Sequence, residues 1–143
     1  MNISTKVLQV MGLVIAEKLI ENTPDPEIRI WRAVISMALE DVMITNQNRT
    51  ESVLKGEAHD WFCNNSEDFK FVCFQAEMDP KYVRMKYLEA LERGNIFFTK
   101  KQNLNIKYTK EYEKLRKAKD RDERRKHTKT INELRQAIFS CTD

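Results

Sequence analysis

Glycine and proline are nearly missing from this chain, with three of each in 143 residues. So little turn-making material, beside 33% charged residues, favours a mostly helical protein. Cysteine is scarce too. Cys63, Cys73 and Cys141 are odd in number and form no CxxC spacing, which fits a reduced, cytoplasmic chain better than a disulfide framework. His59 and Cys63 stand four apart on one helix face, and Cys73 could fold near them, but a zinc site would lack its fourth ligand. Cysteines buried as small hydrophobes are the better account. Neither a metal nor a cofactor is expected.

Catalytic signatures are absent as well. The chain has two histidines and no Gly-rich phosphate loop, nucleophile elbow or HExxH, so an enzyme is not expected. Glu40-Asp41 and Glu67-Asp68 are sequence neighbours, so on a helix they point apart and form no acid–base pair. Long apolar runs are also missing. Val7 to Ile20 is broken by Gln9, Glu17 and Lys18, and no small-residue cleavage site follows. Neither a membrane span nor an export signal is expected.

Charge is present in quantity and unevenly placed. Residues 1–78 hold 7 Lys+Arg against 12 Asp+Glu, a balance of −5, and residues 79–143 hold 18 against 10, a balance of +8. A basic half beside an acidic half points to a polyanion partner on one side, and the acidic half is a candidate protein-docking surface.

The sign changes inside the most informative stretch, Ser66 to Glu92. Ser66 can cap a helix whose apolar face is Phe69, Val72, Cys73 and Ala76. Asp79-Pro80 then restarts the chain, because Asp is a good cap and Pro is favoured at the first helical position. Val83, Tyr87 and Leu91 form the second apolar stripe, with Lys81, Arg84, Lys86 and Arg93 on its other sides. A short helix, a tight turn and a basic helix is the layout that places side chains in a DNA major groove. Cys73, Met78 and Val83 supply the small, turn-closing and buried aliphatic residues such a helix-turn-helix needs. Two positions depart from the pattern. Glu77 stands where a turn residue of positive φ is commonly Gly, and Lys86 stands where a second aliphatic is expected.

Three helices precede this pair. Ser4 to Glu21 carries Val7, Met11, Val14, Ile15 and Leu19 at helical spacing, a face for a core or a partner. Pro26 to Ile44, capped by Asp25, presents Ile28, Trp31, Ile35, Leu39 and Val42. Thr50 to Phe62 presents Val53, Leu54, Ala58, Trp61 and Phe62, although Gly56 costs it about 1 kcal/mol of propensity. Trp31, Trp61, Phe69 and Tyr82 read as core aromatics.

After Gly94 the pattern changes. Residues 95–108 are rich in strand formers, and Leu104, Ile106 and Tyr108 alternate with polar residues at period two. They read equally as a short β-hairpin, which would be a wing carrying Lys100, Lys101 and Lys107, or as an irregular loop. Thr109 to Phe139 is a long charged C-terminal helix in which Ala118 is the only apolar side chain between Arg116 and Thr130. A solvated helix is the plainer account of it; a basic arm on phosphates is the functional one. No heptad series supports a coiled coil.

The series Trp31-Arg32-Ala33-Val34-Ile35, Ala38-Leu39, Glu57-Ala58, Asp60-Trp61-Phe62, Asp68-Phe69, Val72-Cys73, Ala76, Asp79-Pro80 and Val83-Arg84 resembles a known group. It is similar to small helix-turn-helix regulators of alphaproteobacterial prophage and gene-transfer-agent regions. The second half also resembles the promoter-reading helix-turn-helix of sigma factors. The resemblance spans about residues 29–92. It implies a phage-related bacterial transcription regulator with Lys81, Arg84 and Met85 facing base edges.

The expected protein is therefore a small, mainly α helical bundle, cytoplasmic, with a core over 1–94, a helix-turn-helix at 66–93 and a basic appendage over 95–143. It would bind double-stranded DNA, with Lys86, Arg93, Lys100 and Lys101 holding the backbone. The alternative is a non-catalytic, phage-type adaptor whose N-terminal helices bind a host factor such as RNA polymerase or a second copy. An exposed patch on Val7, Met11 and Val14 would favour the adaptor.

Overall fold

The computed structural model describes residues 5–141. Seven helices account for the described chain: α1 (Thr5–Ile20), α2 (Pro26–Val42), α3 (Arg49–Cys63), α4 (Glu67–Gln75), α5 (Pro80–Glu92), α6 (Lys100–Lys117) and α7 (Arg121–Ser140). No strand occurs among the described residues. The mainly α expectation holds.

The caps that set the helix starts are the ones the sequence advertises. Asp25 accepts from Glu27 N at 2.9 Å, Ser66 from Phe69 N at 3.1 Å and Asp79 from Lys81 N at 3.0 Å. Each satisfies an amide that has no partner inside its own helix.

The chain divides into two compact units. The first takes the residues up to Met43 together with Glu57–Phe97. Here α1 packs on α2 and α5, and α4 packs on α2 and α5. Ile35, Leu39, Phe62, Phe69, Val83 and Tyr87 are completely buried at its centre. Phe62 stacks on Tyr87 with ring centroids 4.5 Å apart, and the Tyr87 hydroxyl lies 2.8 Å from His59 Nδ1. Trp31, Trp61 and Tyr82 pack partly buried around that centre.

Helix α1 departs from the simple stripe. Gly12 has φ 83° and ψ 171°, which breaks the helix and resets its phase. Val10, Met11, Ile15 and Ala16 are buried, whereas Val14 is 55% exposed. Met11 is therefore core, and the patch of Val7, Met11 and Val14 does not form.

The second unit takes Ile44–Gly56 and the chain from Phe98 onward. Its main feature corrects the sequence expectation: the segment read as a hairpin or loop is helical from Lys100. Thr99 and Gln102 form a capping box, with Thr99 Oγ1 accepting from Gln102 N at 3.1 Å and Gln102 Oε1 accepting from Thr99 N at 3.0 Å. Gln102, Asn105 and Tyr108 are the buried residues of this helix, at steps of three. Leu104 and Tyr108 are one helical turn apart, so their period-two spacing is equally compatible with a helix.

A second correction concerns the charged tail, which is not one helix. It breaks at residues 118–120, and α6 and α7 pair antiparallel through Glu111 with His127 and Tyr108 with Arg135. Helix α3 is also turned from its expected face over its first half. Ser52 and Lys55 are buried and Leu54 is exposed. Gly56 lies under Ile106, where a Cβ would come within 3.0 Å of Ile106 Cδ1.

Candidate nucleic-acid interface

The pair α4 and α5 is joined by four residues, 76–79. Cys73, Met78 and Val83, the three positions expected to hold such a pair together, are all buried. The turn closes through Met78 N, which donates to Cys73 O at 2.8 Å, and Ala76 N, which donates to Val72 O at 3.0 Å. Glu77 adopts φ 56°, the left-handed conformation usually given to Gly. Its carbonyl accepts from Lys18 Nζ at 2.9 Å. The buried Arg32 guanidinium donates from Nε to Ala76 O at 3.0 Å and pairs with Glu21 at 3.0 Å. Two long cationic side chains thus satisfy the carbonyls that the turn leaves open. Burial, then the Asp79 carboxylate, pushes the Cys73 thiol up to about 12, so it behaves as an apolar core atom.

The outer face of α5 carries Lys81, Met85, Leu88 and Glu92, at steps of four, three and four. With Asn65, Arg84 and Glu89 they line a shallow groove. Lys81 and Met85 are exposed. Arg84 is half-buried and donates from Nε to Cys63 O at 3.0 Å, closing the carbonyl end of α3. Lys86 pairs with Glu89 at 3.4 Å and lies over the Tyr82 ring. Arg93 donates from Nη2 to Gln9 O at 3.3 Å and Val10 O at 3.4 Å, so it ties the end of α5 to α1. Lys100 and Lys101 belong to the second unit, in the first turn of α6. The face is therefore sparser in unengaged cations than its sequence suggests, with Lys81 the outermost.

Two arrangements read in the sequence take a definite form in the fold. Cys63 Sγ lies 3.8 Å from His59 Nε2, but burial pushes the Cys63 thiol up, with Arg84 opposing that shift. No group of three or more His, Cys, Asp or Glu suited to a metal occurs among the described residues. Charge is also partitioned by unit. The first holds 9 Lys+Arg against 14 Asp+Glu, or −5, and the second 16 against 8, or +8, which together restore the chain's +3. No helix among the described residues is long and apolar enough to cross a membrane.

No protein-family model, characterised protein or solved structure matches this chain.

Proposed function

We propose that this chain is a cytoplasmic, phage-type transcription regulator that binds double-stranded DNA, with α4 and α5 as its helix-turn-helix. The observation that carries the reading is the turn itself. Glu77 takes the positive φ that such turns need, although it is not Gly, and Cys73, Met78 and Val83 are buried around it. Helix α5 is then the recognition helix, with Lys81 and Met85 exposed at its N-terminal end, the part that meets base edges in this motif. Arg84 stands between them, and its terminal nitrogens remain for a base or phosphate while Nε is bound to Cys63 O. Enrichment of duplexes from a random pool by the full chain tests this. A recovered consensus whose binding falls in a Lys81→Gln/Met85→Gln variant supports the reading, and a pool that stays random overturns it.

A second reading has its own observation. Ile30 and Met37 on α2, and Phe71 and Phe74 on α4, are at least half exposed, and Trp31 meets Phe71 edge-on at 5.3 Å. An apolar surface of this kind suits a protein partner, RNA polymerase or a second copy among them. Sedimentation of the chain alone and with polymerase, repeated with Phe74→Ser, separates it from DNA binding.

A further inference from the structure

We propose that the outer face of α7 is a second contact for duplex DNA, one that holds backbone phosphates and supplies most of the affinity. This rests on the DNA reading given above but uses residues in the other unit. The need for it follows from charge. The unit containing α5 carries −5, so it offers a polyanion no net attraction, whereas the unit containing α7 carries +8.

The site is built by what the inner face of α7 does. His127 meets the Glu111 carboxylate at 2.6 Å, Ile131 is buried, and Arg135 donates to the Tyr108 hydroxyl at 3.3 Å. Arg124 reaches the end of α6, donating to Ala118 O at 3.3 Å. These contacts fix the rotation of α7 and turn the opposite face outward. There Arg121, Arg125, Thr128, Lys129 and Asn132, flanked by the Arg124 that is tied to α6, line one shallow groove with no carboxylate in its lining. Arg121, Arg125 and Lys129 are exposed, and none makes an ion pair or side-chain hydrogen bond among the described residues.

Their chemistry selects the partner. Arg121, Arg125 and Lys129 succeed one another every four residues, about 6 Å apart along the axis, a row of cations on one line. Asn132 stands beside them and is a common donor to phosphate oxygens, whereas the Thr128 hydroxyl is engaged within the helix, donating to Arg124 O at 2.8 Å. Insertion of the helix into a lipid surface would need apolar side chains among the cations, and this groove has none. A duplex is therefore favoured over an anionic membrane.

The experiment is a salt titration of the full chain on a random-sequence DNA duplex, followed by fluorescence anisotropy. Arg121→Gln/Arg125→Gln/Lys129→Gln keeps good helix formers at all three positions, and circular dichroism checks that helix content is unchanged. The triple variant should bind about tenfold or more weakly at low salt, and its log K against log salt slope should fall by about 2.7, or about 0.9 for each phosphate that is no longer neutralised. An unchanged slope overturns the proposal. Lys81→Gln/Met85→Gln, measured in parallel, keeps the two readings apart. If the triple variant loses binding and the α5 variant keeps its site preference, the α7 contact stands and the α5 reading falls. The reverse pattern overturns the α7 contact alone. Tighter binding to phosphatidylglycerol vesicles or to an RNA duplex than to DNA, abolished in the same triple variant, overturns it in favour of those ligands. Failure of the full chain to bind DNA at low salt overturns both.

Discussion

The ammonium of Lys55 donates to Gln102 Oε1 at 3.1 Å across 47 residues of chain, and both side chains converge on the carbonyl of Ile44. Gln102 also donates to Asn46 O at 3.1 Å and closes the capping box of α6. One amide therefore ties the 44–46 loop, the start of α6 and a buried cation together. Gln102→Ala strands several buried groups at once and should cost about 2–4 kcal/mol. Lys55→Met should cost less than half of that, since Ile44 O and Gln102 Oε1 each keep a second partner. Burial lowers Lys55 below its ordinary 10.5, so in the alkaline window just under that value the unfolded chain binds more protons. The contribution of this group to stability rises with pH there. Urea unfolding at neutral and alkaline pH should show that slope in the native chain and its loss in Lys55→Met.

Glu77 supplies a cleaner test. Its φ of 56° is one that a side chain with a Cβ adopts at a cost of about 1 kcal/mol. Gly adopts it freely, although it loses more entropy on folding. Glu77→Gly should therefore raise the melting temperature slightly, and Glu77→Val should lower it by several degrees. The Lys18 contact is to the Glu77 carbonyl, so neither change removes it. A Glu77→Gly protein less stable than the native chain would mean that the turn is not built on this conformation.

What the sequence showed and hid follows from how local each signal is. Caps at Asp25, Ser66 and Asp79 act within three residues, and all were legible. The apolar stripes of α2, α4 and α5 were legible for the same reason. The start of α6 was hidden because its buried face holds Gln102 and Asn105, polar residues satisfied by carbonyls nearly sixty positions away. Only Thr99 and Gln102, a Thr-x-x-Gln spacing, announced it. Asp120 likewise caps α7 within a run whose charge masked the break. At the candidate interface, the positions of Lys81 and Met85 were readable from α5 alone. The engagement of Arg84 and Arg93 was not, because their carbonyl partners lie 21 and 83–84 residues away.

The α6–α7 pairing should be acid-sensitive. The hydrogen bond with His127 holds the Glu111 carboxyl below its ordinary value, against the opposing effect of burial, with Lys114 assisting. A carboxyl lowered in the folded state contributes stability above its ordinary range and loses it as pH falls through the folded value. Thermal melts from pH 7 to pH 3 should show an acid limb that is shallower in Glu111→Gln. An identical limb in both proteins would assign the acid loss to other carboxylates.

Arg84 and Lys81 should separate stability from recognition. Arg84 closes the last carbonyl of α3 through Nε, so Arg84→Ala removes a structural bond and should cost about 1 kcal/mol of stability. Lys81 is exposed beyond its cap and makes no ion pair among the described residues, so Lys81→Gln should leave the melting temperature unchanged. On duplexes selected by the full chain, a base-reading Arg84 is worth about 1–3 kcal/mol of discrimination. Arg84→Ala should then weaken the selected site far more than random duplex, with binding measured well below its own melting temperature. Equal weakening on both would place Arg84 on phosphates and leave Lys81 and Met85 as the base contacts of α5. No weakening on either would reduce Arg84 to its bond with Cys63 and take it out of the DNA contact.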